Sequence, residues 1–275
     1  VVTLSSDFGT ADGYVGAMKG VILSGATGAR IVDITHEIRP GDVRGGALAL
    51  EASAPFFPAG TIHLVVVDPG VGTRRRAIAV ETADAIFVGP DNGVLSLAAK
   101  GPRRVYVLDR TERHRATVST TFHGRDVFAP IVALLADGAR LRDLATPAAA
   151  GMTDLELPVP SVSPREVTGQ VIHCDRFGNL VTNITTNELR AEVGAQAIGL
   201  GVQQRFDKLP AFAAIQINRP VAGNPLDLVD HGFQGMPGAL WGRQGNGVRS
   251  RVIRPQQRDE REFSLGASIA SLGDG

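Results

Sequence analysis

The stretch TIHLVVVDPGVGTRRR, residues 61–76, decides the fold of the first half of this chain. It opens with six apolar or weakly polar residues rich in β-branched types, Ile62 to Val67, which predict a central β-strand. Asp68-Pro69-Gly70 ends this run abruptly and predicts a tight turn. We therefore expect Asp68 at the carboxyl end of a buried strand, the edge of an open α/β sheet where ligands bind.

The residues after this turn indicate what the edge can hold. Gly70, Gly72 and Thr73 carry little side-chain bulk, so a ligand can approach the backbone closely. Three consecutive arginines, residues 74–76, follow them, and a carboxylate and a guanidinium can then face one pocket. The alternative is that Asp68 only caps the turn while the arginines lie in solvent.

Strand and helix patterns alternate on both sides of this stretch. The predicted strands cover residues 1–5, 30–35, 62–67, 77–80, 85–88 and 104–108. The predicted helices cover residues 14–24, 42–54, 95–100 and 127–136. Asp42 and Asp126 are the expected N-caps of the second and fourth helices. The βαβ order predicts an α/β fold, with a mostly parallel sheet in an α/β sandwich.

A change of composition divides the chain. Residues 146–164, TPAAAGMTDLELPVPSVSP, carry four prolines and no long apolar period, as an interdomain linker does. We predict an N-terminal α/β domain over residues 1–150, a linker over 151–165 and a smaller β-rich domain over 166–275. The second domain opens with a predicted hairpin, residues 167–174 and 180–184.

Composition narrows the function classes. The chain of 275 residues has a formal net charge of zero and a pI near 7.2, whereas nucleic-acid and membrane surfaces attract a basic excess. No apolar run approaches the ~20 residues of a membrane-spanning helix, and Val1 opens directly into a strand, so we expect a cytoplasmic protein. Cys174 is the only cysteine, which rules out an intrachain disulfide and favours a small buried residue over a nucleophile.

Polar residues follow several predicted strands directly. Asp7, Asp68, Asp91 and Asn92 each stand at such a position, and His123 lies between a strand and the following helix. All of them can project from one rim of the sheet. Carboxylate, amide and imidazole groups also suit a divalent ion, so a metal-dependent phosphoesterase that uses Asp7, Asp91, Asn92 and His123 is one hypothesis.

Six ordered motifs resemble those of the S-adenosyl-L-methionine (SAM) hydrolases that form adenosine, also called SAM hydroxide adenosyltransferases, which are related to fluorinases and chlorinases. The motifs are SSDFG (5–9), IVDITHEI (31–38), VVDPGVGT (66–73), VGPDNGVLS (88–96), TFHGRDVFAP (121–130) and DRFGNLVTNI (175–184). The resemblance implies hydrolysis of SAM by water at C5′ of the ribose, with no metal or other cofactor. It also implies a barrel-like C-terminal domain and a homotrimer whose sites lie between neighbouring subunits.

The resemblance assigns the catalytic roles to Asp68, Arg75 and His123. The halogenase relatives carry tyrosine where Asp68 and His123 stand, so this sequence resembles the branch that uses water. His123, just ahead of a helix N-terminus, is expected to have a lowered pKa and to accept a proton, while Asp68 orients the ring or the water. Arg75 is expected to favour the developing hydroxide. Which of Asp68 and His123 accepts the proton stays open.

The resemblance also implies four substrate contacts. Asp7 matches the carboxylate that holds the ribose diol, and Thr73 matches a threonine near the reacting carbon. Asp175 matches the acidic residue that pairs with the methionine moiety, and Asn179 matches the amide that contacts adenine. Residues 201–275 diverge from the family and carry no copy of its Asn-Ser-x-Gly type segment. A non-catalytic protein that binds adenosine or SAM is therefore a further hypothesis.

Overall fold

The computed structural model describes residues 1–163, 166–176, 180–185, 198–203 and 212–217. It divides into two compact units, Val1–Glu156 and Leu157–Gly275. The predicted bounds of domains and linker stay predictions. The end of the first unit packs on its own sheet, because Thr146–Pro147 pairs with a strand and the Leu155 amide donates to Ser96 Oγ at 3.0 Å.

The first unit is built on a seven-stranded sheet. Its strands are β1 (Val2–Ser6), β2 (Ile31–Thr35), β3 (Thr61–Val66), β4 (Ala77–Glu81), β5 (Ala85–Pro90), β6 (Arg104–Val107) and β7 (Thr146–Pro147). They lie in the order β2-β1-β3-β5-β4-β6-β7. The four strands β2, β1, β3 and β5 are parallel, whereas β4 pairs antiparallel with both neighbours. The predicted α/β class with a mostly parallel sheet is confirmed.

The helices cover both faces of this sheet. They are α1 (Tyr14–Gly25), α2 (Val43–Ser53), α3 (Ala129–Ala136) and the short α4 (Leu141–Leu144), and a π-helical turn, Gly124–Phe128, leads into α3. Strand β3 alternates between the faces: Leu64 joins a core with Met18 and Phe128, while Val65 joins a second core with Leu50. Because β3 is buried on both faces, its sequence is mostly apolar, with the buried His63 as the polar residue inside the run.

Two helix predictions need correction. The predicted helix over residues 95–100 is absent, since this described segment is a series of turns that Ser96 ties with a bond from its Oγ to the Gly93 carbonyl at 2.7 Å. Asp42 does cap α2, accepting from the Gly45 amide at 2.8 Å. Asp126 caps nothing: it lies inside the π-helical turn and is completely buried.

The described part of the second unit is an antiparallel sheet. Its strands are β8 (Ser161–Ser163), β9 (Glu166–Cys174), β10 (Leu180–Thr182), β11 (Ile198–Gln203) and β12 (Phe212–Ile217), in the order β10-β9-β12-β11 with β8 also on β9. The predicted hairpin is confirmed, because Leu180 pairs with Cys174. The Cys174 side chain is exposed, so its predicted burial is wrong. The described residues contain no helix that is long and apolar enough to cross a membrane.

Candidate active site

The sheet topology brings three predicted carboxylates to one edge. Strands β1, β3 and β5 are parallel neighbours, and Asp7, Asp68 and Asp91 follow their carboxyl ends. Strand β4 runs the other way, with Ala77 paired to Pro90, so the arginines just before β4 reach the same edge. A carboxylate and a guanidinium therefore meet here, as the sequence predicts.

Arg75 joins Asp68 to His123. Its Nε donates to Asp68 Oδ1 at 3.0 Å, and its Nη2 donates to Asp68 Oδ2 and, at 3.1 Å, to His123 Nδ1. The Asp68 and Arg75 side chains are only 4% and 8% exposed, so this ion pair is largely withdrawn from water. The guanidinium also lies over the Phe128 ring, 5.5 Å from its centroid. Arg75, rather than Asp68, holds the imidazole.

This contact fixes the tautomer of His123. A guanidinium has only donors, so Nδ1 must accept, and the proton of the neutral imidazole lies on Nε2. The pKa of His123 is lowered, first by burial and next by the charge of Arg75, although Asp68 partly opposes the change. This direction is the one that the sequence predicted, but the neutral ring presents a donor at Nε2 where the sequence suggested a proton acceptor.

Two further predicted site residues lie on this unit. Asp7 Oδ2 accepts from the Gly41 amide at 2.7 Å, and its Oδ1 has no partner among the described residues. The Thr73 hydroxyl donates to the Gly70 carbonyl at 2.6 Å and accepts from the Arg75 amide at 3.3 Å. Thr73 therefore closes the turn that aims Arg75 at Asp68. The other two predicted substrate contacts lie elsewhere in the chain. Asp175 follows β9 in the second unit, and Asn179 lies outside the described residues.

The structure does not assemble the metal ligands of the phosphoesterase hypothesis. Asp91 accepts from Arg76 Nε at 2.8 Å and from the Thr153 amide at 2.7 Å. Asn92 donates to the Val67 carbonyl and accepts from the Val94 amide. These two side chains are thus committed to local structure. The part of the chain that is described holds no group of three or more His, Cys, Asp or Glu side chains placed to bind a metal ion.

The aromatic and close-packed surroundings of His123 were not predicted from the sequence. Phe8, Tyr14 and Phe122 form a cluster with ring centroids 5.2–5.9 Å apart. Gly124 packs closely against α1, because a Cβ there would lie 2.8 Å from Met18 Sδ and would require Met18 to shift. Phe8 directly follows Asp7 and Phe122 directly precedes His123, and these two neighbours were the available signal. The burial of Asp126 in an ion pair was also missed, although the adjacent Arg125 could have suggested it.

Comparisons with known proteins point to one family. The family model for the SAM hydroxide adenosyltransferase N-terminal domain matches residues 2–145. The "(R)-S-adenosyl-L-methionine hydrolase" of Salinispora tropica is 47% identical over 184 residues, 65% of this chain and 70% of the relative. A "Fluorinase" of an Actinoplanes species is 31% identical over 260 residues, 80% of this chain and 86% of the relative. A crystal structure of a conserved protein from Thermotoga maritima superposes with a TM-score of 0.68 at 36% identity, covering 77% of this chain and 81% of the other.

Proposed function

The chain belongs to the SAM hydroxide adenosyltransferase family, and from this membership we propose that it hydrolyses S-adenosyl-L-methionine to adenosine and L-methionine. The observation that carries the proposal is the identity of 47% to a relative named as a hydrolase, against 31% to one named as a fluorinase. Asp68 and His123 support the same choice, because they stand where the halogenases that the sequence resembles carry tyrosines.

The reaction sets a narrow task for the protein. Water or hydroxide attacks C5′ in line with the departing sulfur, so a C5′–O bond forms while the C5′–S bond breaks. The bonding electron pair goes to the sulfonium, which leaves as a neutral thioether and needs no proton. One proton of the attacking water must be released. Catalysis therefore consists of holding an oriented, partly deprotonated water against C5′.

Asp68, Arg75 and His123 have groups suited to that task. The cationic Arg75 favours negative charge on the attacking oxygen. The Nε2–H of His123 donates a hydrogen bond to this oxygen while Nδ1 accepts from Arg75. Each Asp68 oxygen keeps a lone pair beyond the one that Arg75 uses, so Asp68 accepts the proton that water loses. His123 can take up that proton only at Nδ1 and only by releasing Arg75.

Substrate contacts form the second part of the proposal. Asp7 holds the ribose diol through Oδ1, the oxygen that Gly41 leaves available. Thr73 lies near the reacting carbon, Asp175 pairs with the methionine moiety and Asn179 contacts adenine. The family resemblance supports these four assignments. Asp7→Ala should weaken SAM binding with little change in kcat, since a contact made equally in ground and transition states affects KM.

The enzyme is proposed to act without a metal or other cofactor. A neutral leaving group removes the need for a Lewis acid, and no electrons are exchanged with an acceptor. Activity should therefore persist after dialysis against EDTA, and restoration of a lost activity by a divalent ion would contradict this part. A homotrimer and a barrel-like second domain complete the proposal on the strength of the resemblance, and a cytoplasmic location stays the expectation from the apolar pattern of the sequence. Light scattering that reports a monomer active at high dilution would contradict the trimer.

Chromatography of SAM incubated with the protein tests the function. Adenosine and methionine should appear in equal amounts, at a rate proportional to protein concentration. The R and S sulfonium epimers should be assayed separately, because the name of the Salinispora relative specifies the R epimer. Sodium chloride added to millimolar concentration should give no 5′-chloro-5′-deoxyadenosine. A halogenated nucleoside as the main product, or no turnover of either epimer, would overturn the proposal.

A further inference from the structure

Asp126 is a buried carboxylate that the proposed mechanism does not use. Its side chain is completely buried, and a carboxylate in that position is costly unless charged groups or several donors surround it. Arg125 supplies two bonds, Nε to Oδ1 at 2.7 Å and Nη2 to Oδ2 at 2.8 Å. The Ser119 amide donates to Oδ2 at 2.9 Å, and Arg115 Nε lies 3.3 Å from Oδ1. These partners hold the pKa of Asp126 below its usual value, chiefly through Arg125.

These bonds fasten one segment of chain to another. Arg115 and Ser119 belong to the segment over residues 111–121, whereas Asp126 belongs to the π-helical turn that follows His123. A backbone bond from the Arg115 amide to the Asp126 carbonyl at 3.0 Å strengthens the attachment. At its far end the segment touches the turn of Arg75, because a Cβ on Gly72 would lie 2.5 Å from the Thr120 carbonyl oxygen.

Both chain neighbours of His123 are held in place around this buried carboxylate. Arg125, held by Asp126, lies over the Phe122 ring at 4.8 Å from its centroid, and the Asp126 amide donates to the Phe122 carbonyl at 3.2 Å. On the other side, Gly124 begins the π-helical turn against Met18. Such turns recur at functional sites, where they redirect a side chain.

We propose that Asp126 is a positioning residue for the hydrolysis: by tying the 111–121 segment to the π-helical turn, it holds the His123 imidazole in line with Arg75. This role rests on the proposed function. It predicts that loss of the Asp126 charge lowers kcat through a misplaced imidazole, although Asp126 itself touches neither the substrate nor the reacting water.

Asp126 also acts on His123 through its charge. The charged or titratable groups that influence His123 are Arg75 and Asp68 from the turn after β3, His114 from the 111–121 segment, and Asp126. Arg75 and a protonated His114 lower the pKa of His123, whereas Asp68 and Asp126 raise it. Removing the Asp126 charge should therefore lower the pKa of His123 further. The acid side of the pH profile of kcat, where His123 becomes protonated, should move to lower pH.

The test compares Asp126→Asn with Asp143→Asn in the full chain. Asp143 is the matched control because it also accepts from an arginine, Arg140 Nε at 3.0 Å, but its side chain is 52% exposed. Asp126→Asn should lower kcat for SAM about tenfold or more, change KM by less than about threefold, and shift the acid limb to lower pH. Asp143→Asn should leave kcat, KM and the pH profile unchanged.

A second variant covers the case in which Asp126→Asn does not fold. Arg115→Gln removes one partner of Asp126 from a side chain that is half exposed, so the fold should survive, and kcat should fall in the same direction by a smaller factor. Two outcomes would overturn the positioning role alone, provided that the wild type turns over SAM. One is an unchanged kcat and pH profile in Asp126→Asn, and the other is an unchanged kcat in Arg115→Gln. Absence of turnover in the wild type would overturn the proposed function and this role with it.

Discussion

Replacement of His123 by glutamine separates two ways in which this residue can assist water. The structure places the neutral imidazole with Nδ1 accepting from Arg75 at 3.1 Å and with a proton on Nε2. A glutamine amide nitrogen can occupy nearly the same place as Nε2 and donates a hydrogen bond, but it cannot accept a proton. His123→Gln should therefore keep most of kcat if the ring acts as a donor.

The expected magnitudes follow from the charge on the attacking oxygen. A hydrogen bond to a charged group contributes about 1.5–3 kcal/mol, which corresponds to about 10- to 160-fold in rate if it forms only in the transition state. His123→Ala should lose this factor, and His123→Gln should stay within about tenfold of the wild type. Loss of a general base instead typically costs about 10²–10⁴-fold, and glutamine would not restore it.

The assay is adenosine formation measured by chromatography between pH 5 and pH 9. Because the pKa of His123 is lowered from 6.5, Nδ1 should stay unprotonated and bonded to Arg75 down to a pH below that value. The wild-type rate should fall only at lower pH, where protonation of Nδ1 breaks this bond and displaces the ring. This limb should vanish in His123→Gln. If His123→Gln is as slow as His123→Ala and both are more than about a hundredfold slower than the wild type, the donor role is wrong and the imidazole is the base.

Three further predictions concern the scaffold of the site. Asp68→Asn leaves the 8% exposed Arg75 side chain without its counter-charge. Because breaking a buried ion pair costs about 3–5 kcal/mol, calorimetry should show Tm lowered by about 6–20 °C. An unchanged Tm would mean that the pair is well solvated. Gly72→Ala should lower both Tm and kcat, because φ is +75° and the new Cβ would meet the Thr120 carbonyl. The control is Gly138→Ala, which has a φ of +100° and open space around it and should affect Tm alone. Burial lowers the pKa of His63 to about 4, so protonation favours the unfolded chain, and unfolding free energy should fall by up to about 3 kcal/mol between pH 6.5 and pH 4. This loss should be smaller in the double variant His63→Leu with Thr3→Val, which removes both members of the 2.7 Å hydrogen bond, and an equal loss there would assign the effect to other groups.

The sequence was sufficient for the parts of the fold that local patterns determine. The apolar run before Asp68, the helix from Tyr14 and the hairpin between β9 and β10 depend on period and turn chemistry within a few residues, and the structure contains each of them. The helix expected over residues 95–100 was wrong because its apolar spacing is also satisfied by turns, here tied by Ser96 and packed through Val94 and Leu95 into the second core.

Other features depend on contacts between residues that are distant in sequence. The bond between Arg75 and His123 joins residues 48 positions apart, so no local pattern predicts which imidazole nitrogen is occupied. Asp126 was interpreted as a helix cap because it precedes an apolar helix, and nothing in its neighbourhood reveals that the chain from Arg115 to Ser119 folds back onto it. The family resemblance supplied the identity of the three catalytic candidates, but their mutual orientation came only from the structure.

The reversed strand β4 makes this edge of the sheet intolerant of insertions and deletions. Arg75 and Arg76 are consecutive, yet they serve different carboxylates, Asp68 and Asp91. Ala77 is held in register by its pairing with Pro90. One residue added between Asp68 and Ala77 would present the wrong arginine to Asp68, and one removed would leave Asp91 or Asp68 without a cation. We therefore expect homologous chains to vary freely in side chains at the exposed Arg74 while conserving the number of residues that separates Asp68 from β4.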